Sequence, residues 1–115
     1  PTALIPALIL SGLSSETFIF EGFLPRKKGR KTKLKEISDN KITTIIYESP
    51  YRIIKTLSDL LEFLGADRKI SVSREIAKMY EETFRGSVND ALNYFSDKNI
   101  KGEFVICIDS SKDLS

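Results

Sequence analysis

The sequence predicts an α/β protein built on a mixed five-stranded sheet flanked by helices. Short runs rich in β-branched and aromatic residues, FIFEGF, ITTIIYE, RKISVSRE, YEETFRGS and GEFVICID, alternate with segments whose apolar residues recur at helical spacing. Two of these runs, ITTII and FVICI, are nearly continuous in apolar residues, as strands covered on both faces are. The 115 residues and the 41% hydrophobic fraction support one domain with one modest core, and no low-complexity tract or linker divides it.

Each element follows from local signals. Thr2 is placed to cap a helix over Ala3 to Ser11, with Pro6 early in it and Gly12 closing it. FIFEGF reads as a strand ended by Pro25, and Arg30 to Asp39 as a helix with Leu34 and Ile37 on one face. After ITTIIYE, Ser49-Pro50 offers an N-cap and a proline at the first helical position. The helix it opens carries Ile53, Ile54, Leu57, Leu60, Leu61 and Leu64 at 3.6-residue spacing, and Gly65 stops it. RKISVSRE and YEETFRGS read as two strands with a short connection. Ser87 and Asp90 form a capping-box variant for a helix burying Val88, Ala91, Leu92 and Phe95, and GEFVICID is the last strand.

Composition excludes several chemistries. The chain has no histidine, so no Ser-His-Asp triad, imidazole metal site or histidine base forms within it. Its single cysteine, Cys107, lies in an apolar strand and reads as a small buried hydrophobe, with no metal-ligand set around it. The apolar run ALIPALIL is too short to span a bilayer and lacks the layout of a signal peptide, which points to a cytoplasmic protein. The opening Pro1-Thr2-Ala3 reads as a cut inside a longer protein.

Charge is distributed unevenly. Seven of the ten residues from Arg26 to Lys35 are cationic, namely Arg26, Lys27, Lys28, Arg30, Lys31, Lys33 and Lys35. The remainder holds 11 basic and 16 acidic groups, so the net +2 conceals a segment of +7 on a body of −5. Such crowding disfavours the compact state unless a polyanion relieves it with release of counterions. The segment is therefore a candidate contact for RNA or DNA, with a solvated helix face that keeps the protein soluble as the alternative reading, and such a contact positions a backbone without reading sequence. Phe18 and Phe20 could be mistaken for a stacking platform but are expected in the core.

In open α/β sheets ligands gather at the carboxyl ends of strands. Three such ends are unusually polar here, Glu21-Gly22, Tyr47-Glu48-Ser49 and Arg74-Glu75. Ser49 is read first as a helix cap, and Arg74 as an ion-pair partner, with Glu48 across the strands as one possibility.

Taken together, PTA, EGFLPRKKGR, IIYESPYRI, SREIAKMYEETFRG and KGEFVICI resemble the second domain of the tetrapyrrole methylase fold. The likeness covers nearly the whole chain. It is closest to the ribosomal RNA small-subunit methyltransferase I branch, which methylates the 2′-hydroxyl of a cytidine in 16S ribosomal RNA. Ala77 departs from that branch, which shows Thr there.

The resemblance implies the carboxyl-terminal half (residues 1–115) of a two-domain, S-adenosylmethionine-dependent methyltransferase, with the amino-terminal domain absent. It places Thr2, Ala3, Tyr47, Glu48, Arg74, Glu75, Gly102 and Glu103 near the cofactor, and leaves Glu48 and Glu75 as candidates for the catalytic base. It also implies a homodimer acting on 16S ribosomal RNA or the small ribosomal subunit. A tetrapyrrole methylase and a non-catalytic RNA-binding domain are the competing readings; a compact tetrapyrrole needs no long basic rim, whereas a ribosomal substrate does.

Overall fold

A computed structural model describes residues 17–77 and 79–111 together with Ala7 and Gly12. Its strands are β1 (Phe18–Phe23), β2 (Thr43–Glu48), β3 (Lys69–Ile76), β4 (Met79–Ser87) and β5 (Glu103–Ile108). The described helices are α1 (Arg30–Asp39), α2 (Ile53–Leu64) and α3 (Val88–Ser96). These strands form one sheet in the order β1-β2-β5-β3-β4. Among the described residues only β1 and β2 pair in parallel, and the other pairings are antiparallel. The mixed five-stranded α/β architecture read from the sequence is thus the observed one.

ITTII and FVICI are interior strands, and their composition explains why. Phe104, Ile106 and Ile108 of β5 pack with Leu34, Ile37, Ile53, Leu57, Leu60 and Phe95 of the helices. The intervening Val105 and Cys107 pack with Ile45, Phe18 and Tyr80 on the opposite face, since successive side chains of a strand alternate. The described helices all bury their stripes in the first cluster. On the second face lies Ala7, which is helical and fully buried. The remainder of the helix expected over Ala3 to Ser11 lies outside the described residues.

Local signals hold at most boundaries. Ser87 caps α3, its hydroxyl accepting from Asp90 N at 3.0 Å, and Gly65 closes α2 with its N–H on Leu61 O and φ near +90°. One boundary departs from the sequence reading. Ser49 does not cap α2; Arg52 N–H donates to Ser49 O at 3.1 Å in a turn, and the helix opens at Ile53. Ser49 N donates to the Glu48 carboxylate at 2.8 Å. Thr56, absent from the expected stripe, is fully buried, while Ile54, Leu61 and Leu64 are half-buried at its margin.

Candidate functional site

Strand direction brings the polar residues to one end of the sheet. The carboxyl ends of β1, β2 and β3 lie beside the amino ends of β4 and β5, as the pairs Phe23 with Tyr47, Tyr47 with Val105, and Glu75 with Glu103 show. There Phe23, Tyr47, Glu75, Glu103, Phe104 and Val105 line a cavity of about 350 Å³. Glu75 and Glu103 stand directly opposite one another on adjacent strands.

Tyr47 is braced by two rings in edge-to-face contact, Phe20 at 5.1 Å and Phe23 at 5.6 Å. Burial raises the nearby Tyr80 hydroxyl to about 12, and the Glu75 carboxylate adds to the shift. Tyr80 is thus a neutral wall beside an acidic mouth. Aromatic faces next to two carboxylates suit a ligand that combines a flat ring with positive charge.

Gly102 sits behind this mouth for a steric reason. Its φ is +86°, and a Cβ there would come within 2.4 Å of the Glu75 carbonyl oxygen. Only glycine lets the chain enter β5 so close to the end of β3.

The structure separates the remaining site residues. Glu48 lies on the helix side of the sheet, 3% exposed, with one oxygen on Ser49 N and the other accepting from Thr56 Oγ1 at 2.5 Å. Arg74 pairs with Glu82 of β4 at 3.0 Å and not with Glu48, from which β5 separates it. The Tyr94 hydroxyl also donates to Glu82, and that bond, reinforced by Arg74, holds the Glu82 carboxyl below its usual range. Arg74 therefore borders a different hollow, with Glu82, Lys98 and Phe104. Thr2 and Ala3 lie outside the described residues. A larger hollow of about 410 Å³ lies at the opposite end of the sheet, between Leu64 to Lys69 and Asp109 to Ser111.

The basic segment divides as well. Arg30 is 6% exposed and structural, donating to Asp59 at 2.8 Å, Thr56 Oγ1 at 3.0 Å and Pro25 O at 3.0 Å. It is thereby removed from the cationic surface expected of it. Burial alone would raise the Asp59 carboxyl, but the hydrogen bonds from Arg30 and Lys55 outweigh this and lower it. Lys33 is held by Glu36 and Glu21, whose hydrogen bonds raise its pKa. The acids that relieve this crowding thus come from β1 and α2 as well as from α1 itself. Arg26, Lys27, Lys28, Lys31 and Lys35 remain exposed and form no ion pair among the described residues.

Phe18 packs in the second core cluster, as expected, but Phe20 is 41% and Phe23 61% exposed. Thr56, Asp59 and Phe23 were not singled out by the sequence reading. The polar Thr56 within an apolar helical stripe was the available signal for the first. Among the described residues no cluster of His, Cys, Asp or Glu suited to a metal ion assembles, and no helix is long and apolar enough to cross a membrane.

The described residues thus form an α/β domain with an acidic, aromatic cavity at one sheet end and exposed cations at its flank. Comparison with known proteins specifies the relationship. The chain is 44% identical over 108 residues to ribosomal RNA small subunit methyltransferase I of Synechocystis sp., covering 93% of the chain and 39% of that protein. It is 41% identical over 108 residues to the protein of the same name from Thermotoga maritima, covering 94% of the chain and 48% of the relative. For that of Halalkalibacterium halodurans the identity is 46% over 110 residues, covering 95% and 38%. No protein-family model matches. The chain is thus similar along nearly its whole length to ribosomal RNA small subunit methyltransferase I, and spans less than half the length of these relatives.

Proposed function

We propose that this chain is the carboxyl-terminal half of an S-adenosylmethionine-dependent methyltransferase that methylates a cytidine 2′-hydroxyl in 16S ribosomal RNA, in the cytoplasm and as a homodimer. One observation supports this reading above the others. The cavity of Phe23, Tyr47, Glu75 and Glu103 opens at the end of β1, where the chain runs directly into the exposed cations Arg26, Lys27 and Lys28. On this reading a polyanionic substrate and a small cationic cofactor would lie within a few residues of each other. A tetrapyrrole substrate leaves the cations unexplained.

When bound, S-adenosylmethionine supplies an electrophilic methyl group on a sulfonium leaving group. Glu75 and Glu103 offer carboxylates to its positive charge and ribose hydroxyls, and Tyr47 offers a ring face. Thr2 and Ala3 would contact it from the preceding segment, and the missing amino-terminal domain would supply the opposite wall. Glu75, on the cavity, would accept the proton of a substrate hydroxyl. Glu48 has both carboxylate oxygens engaged away from the cavity, so its contribution is to hold the end of β2, and with it Tyr47, in position. Gly102 sets the spacing of Glu75 from β5, and Arg74 steadies β3 through Glu82. Arg26, Lys27, Lys28, Lys31, Lys33 and Lys35 face the RNA backbone, with Lys33 the most restrained of them.

The intact parent, given unmodified small ribosomal subunits and labelled S-adenosylmethionine, should place label on a 2′-oxygen of a 16S cytidine. Glu75→Gln should lower turnover by roughly 10²-fold or more. Label appearing in a tetrapyrrole, and none in ribosomal RNA, would refute the reading. Without the other half of the cavity, this chain alone should be inactive.

A further inference from the structure

We propose that Phe23 is a stacking platform for an unpaired nucleobase of the RNA, set beside the cations that hold the adjoining phosphates. The proposal rests on the RNA reading given above and adds to it a base contact.

The geometry begins with an irregularity in β1. Residues three apart on a regular strand point to opposite faces. Phe20 and Phe23 nonetheless both contact the ring of Tyr47, because the pairing with β2 skips a residue between Phe20 and Gly22, and Gly22 takes φ +68°. Such a bulge costs ladder pairing and re-aims a side chain. Here it carries Phe23 onto the rim of the cavity with 61% of its surface exposed.

Phe23 is not loosely held. The planes of its ring and that of Tyr47 cross at 69°, so contact with Tyr47 does not cover the Phe23 ring face to face. The next residue, Leu24, is anchored in the core at 6% exposure. Arg30 Nη1 clamps the carbonyl of Pro25 at 3.0 Å, which sets the direction in which Arg26, Lys27 and Lys28 follow. A large exposed ring fixed next to exposed cations is the pairing that single-stranded nucleic acid requires, with the ring under a base and the cations on its backbone.

The test uses the intact parent protein and a single-stranded oligoribonucleotide carrying 2-aminopurine at successive positions. Wild-type protein should quench the fluorophore at one position. Phe23→Ala should abolish that quenching and weaken binding about five- to a hundredfold, whereas Phe23→Trp should restore both. Neither variant should change the slope of log affinity against log salt, because no charge is removed; replacing Lys27 and Lys28 by Ala should flatten it by up to about 1.4. Unaltered affinity and quenching in Phe23→Ala, with salt-dependent binding intact, would overturn stacking and leave the RNA reading standing. The same RNA result with a melting temperature several degrees lower would overturn it too, by showing that the rest of the parent covers Phe23. No salt-dependent RNA binding by the wild type would overturn the RNA reading itself, and stacking with it.

Discussion

Arg30 reaches Glu48 through a single hydroxyl group. Its Nη2 donates to Thr56 Oγ1 at 3.0 Å, and that oxygen donates to Glu48 Oε2 at 2.5 Å. The link joins the first residue of α1 to the last residue of β2 through the core side of α2, so the basic helix and the end of the cavity strand are held by one network.

Thr56→Val keeps the shape of the side chain and leaves two buried charged groups each short of a partner. It should cost about 1–3 kcal/mol in urea unfolding. Arg30→Met should cost about 3–5 kcal/mol, because it removes the buried cation paired with Asp59 and the donors to Thr56 Oγ1 and the Pro25 carbonyl. Lys31→Met, one residue along and exposed, should stay within about 0.5 kcal/mol. Equal effects for Arg30 and Lys31 would mean that the network carries no stability.

Gly102→Ala combines a positive φ with a Cβ placed 2.4 Å from the Glu75 carbonyl oxygen. A destabilisation of about 2 kcal/mol or more is expected, from backbone strain and from displacement of the end of β3. Amide exchange at Glu75 and Ile76 should quicken in the variant. Unchanged exchange would show that the entry to β5 adjusts elsewhere.

Ala77 lies in the tight β3–β4 connection with φ +51°, a conformation unfavourable for a residue with an ordinary Cβ. Asn adopts it more readily through local hydrogen bonding, so Ala77→Asn should stabilise the domain by about 1 kcal/mol. A lower midpoint in urea would contradict this.

Tyr80 sets an alkaline limit. Burial raises its hydroxyl from about 10 to about 12 in the folded state, so folding favours the protonated form. Its contribution is complete below pH 10, where both states are neutral, and is lost as pH rises toward 12 and the unfolded chain ionises first. Stability measured from pH 9 to 12 should fall, and Tyr80→Phe should flatten that part of the profile. An equal decline in the variant would assign the loss to other groups.

Much of the fold was legible in the residues. The apolar character of ITTII and FVICI declared two interior strands, and the Leu and Ile spacing of α2 and the Ser87 cap declared helices, because these are local patterns answering to local geometry. The polar ends of β2 and β3 were visible as candidates for the same reason. Which of them share a cavity was not visible, since that depends on β5 inserting between two strands that precede it in the chain. This insertion sets Glu75 against Glu103, and the strand pleat turns Glu48 to the helix side.

By itself the sequence determined the fold class, an excess of positive charge in one short segment, and a chemistry without histidine. Tertiary structure alone decided that Arg30 is a buried tie, that Lys33 is paired with Glu21 from another element, and that a bulge turns Phe23 outward. Periodicity records how each residue meets the core. Pairing between distant charges and the register of neighbouring strands arise only when chain segments far apart in sequence are brought within a few ångströms.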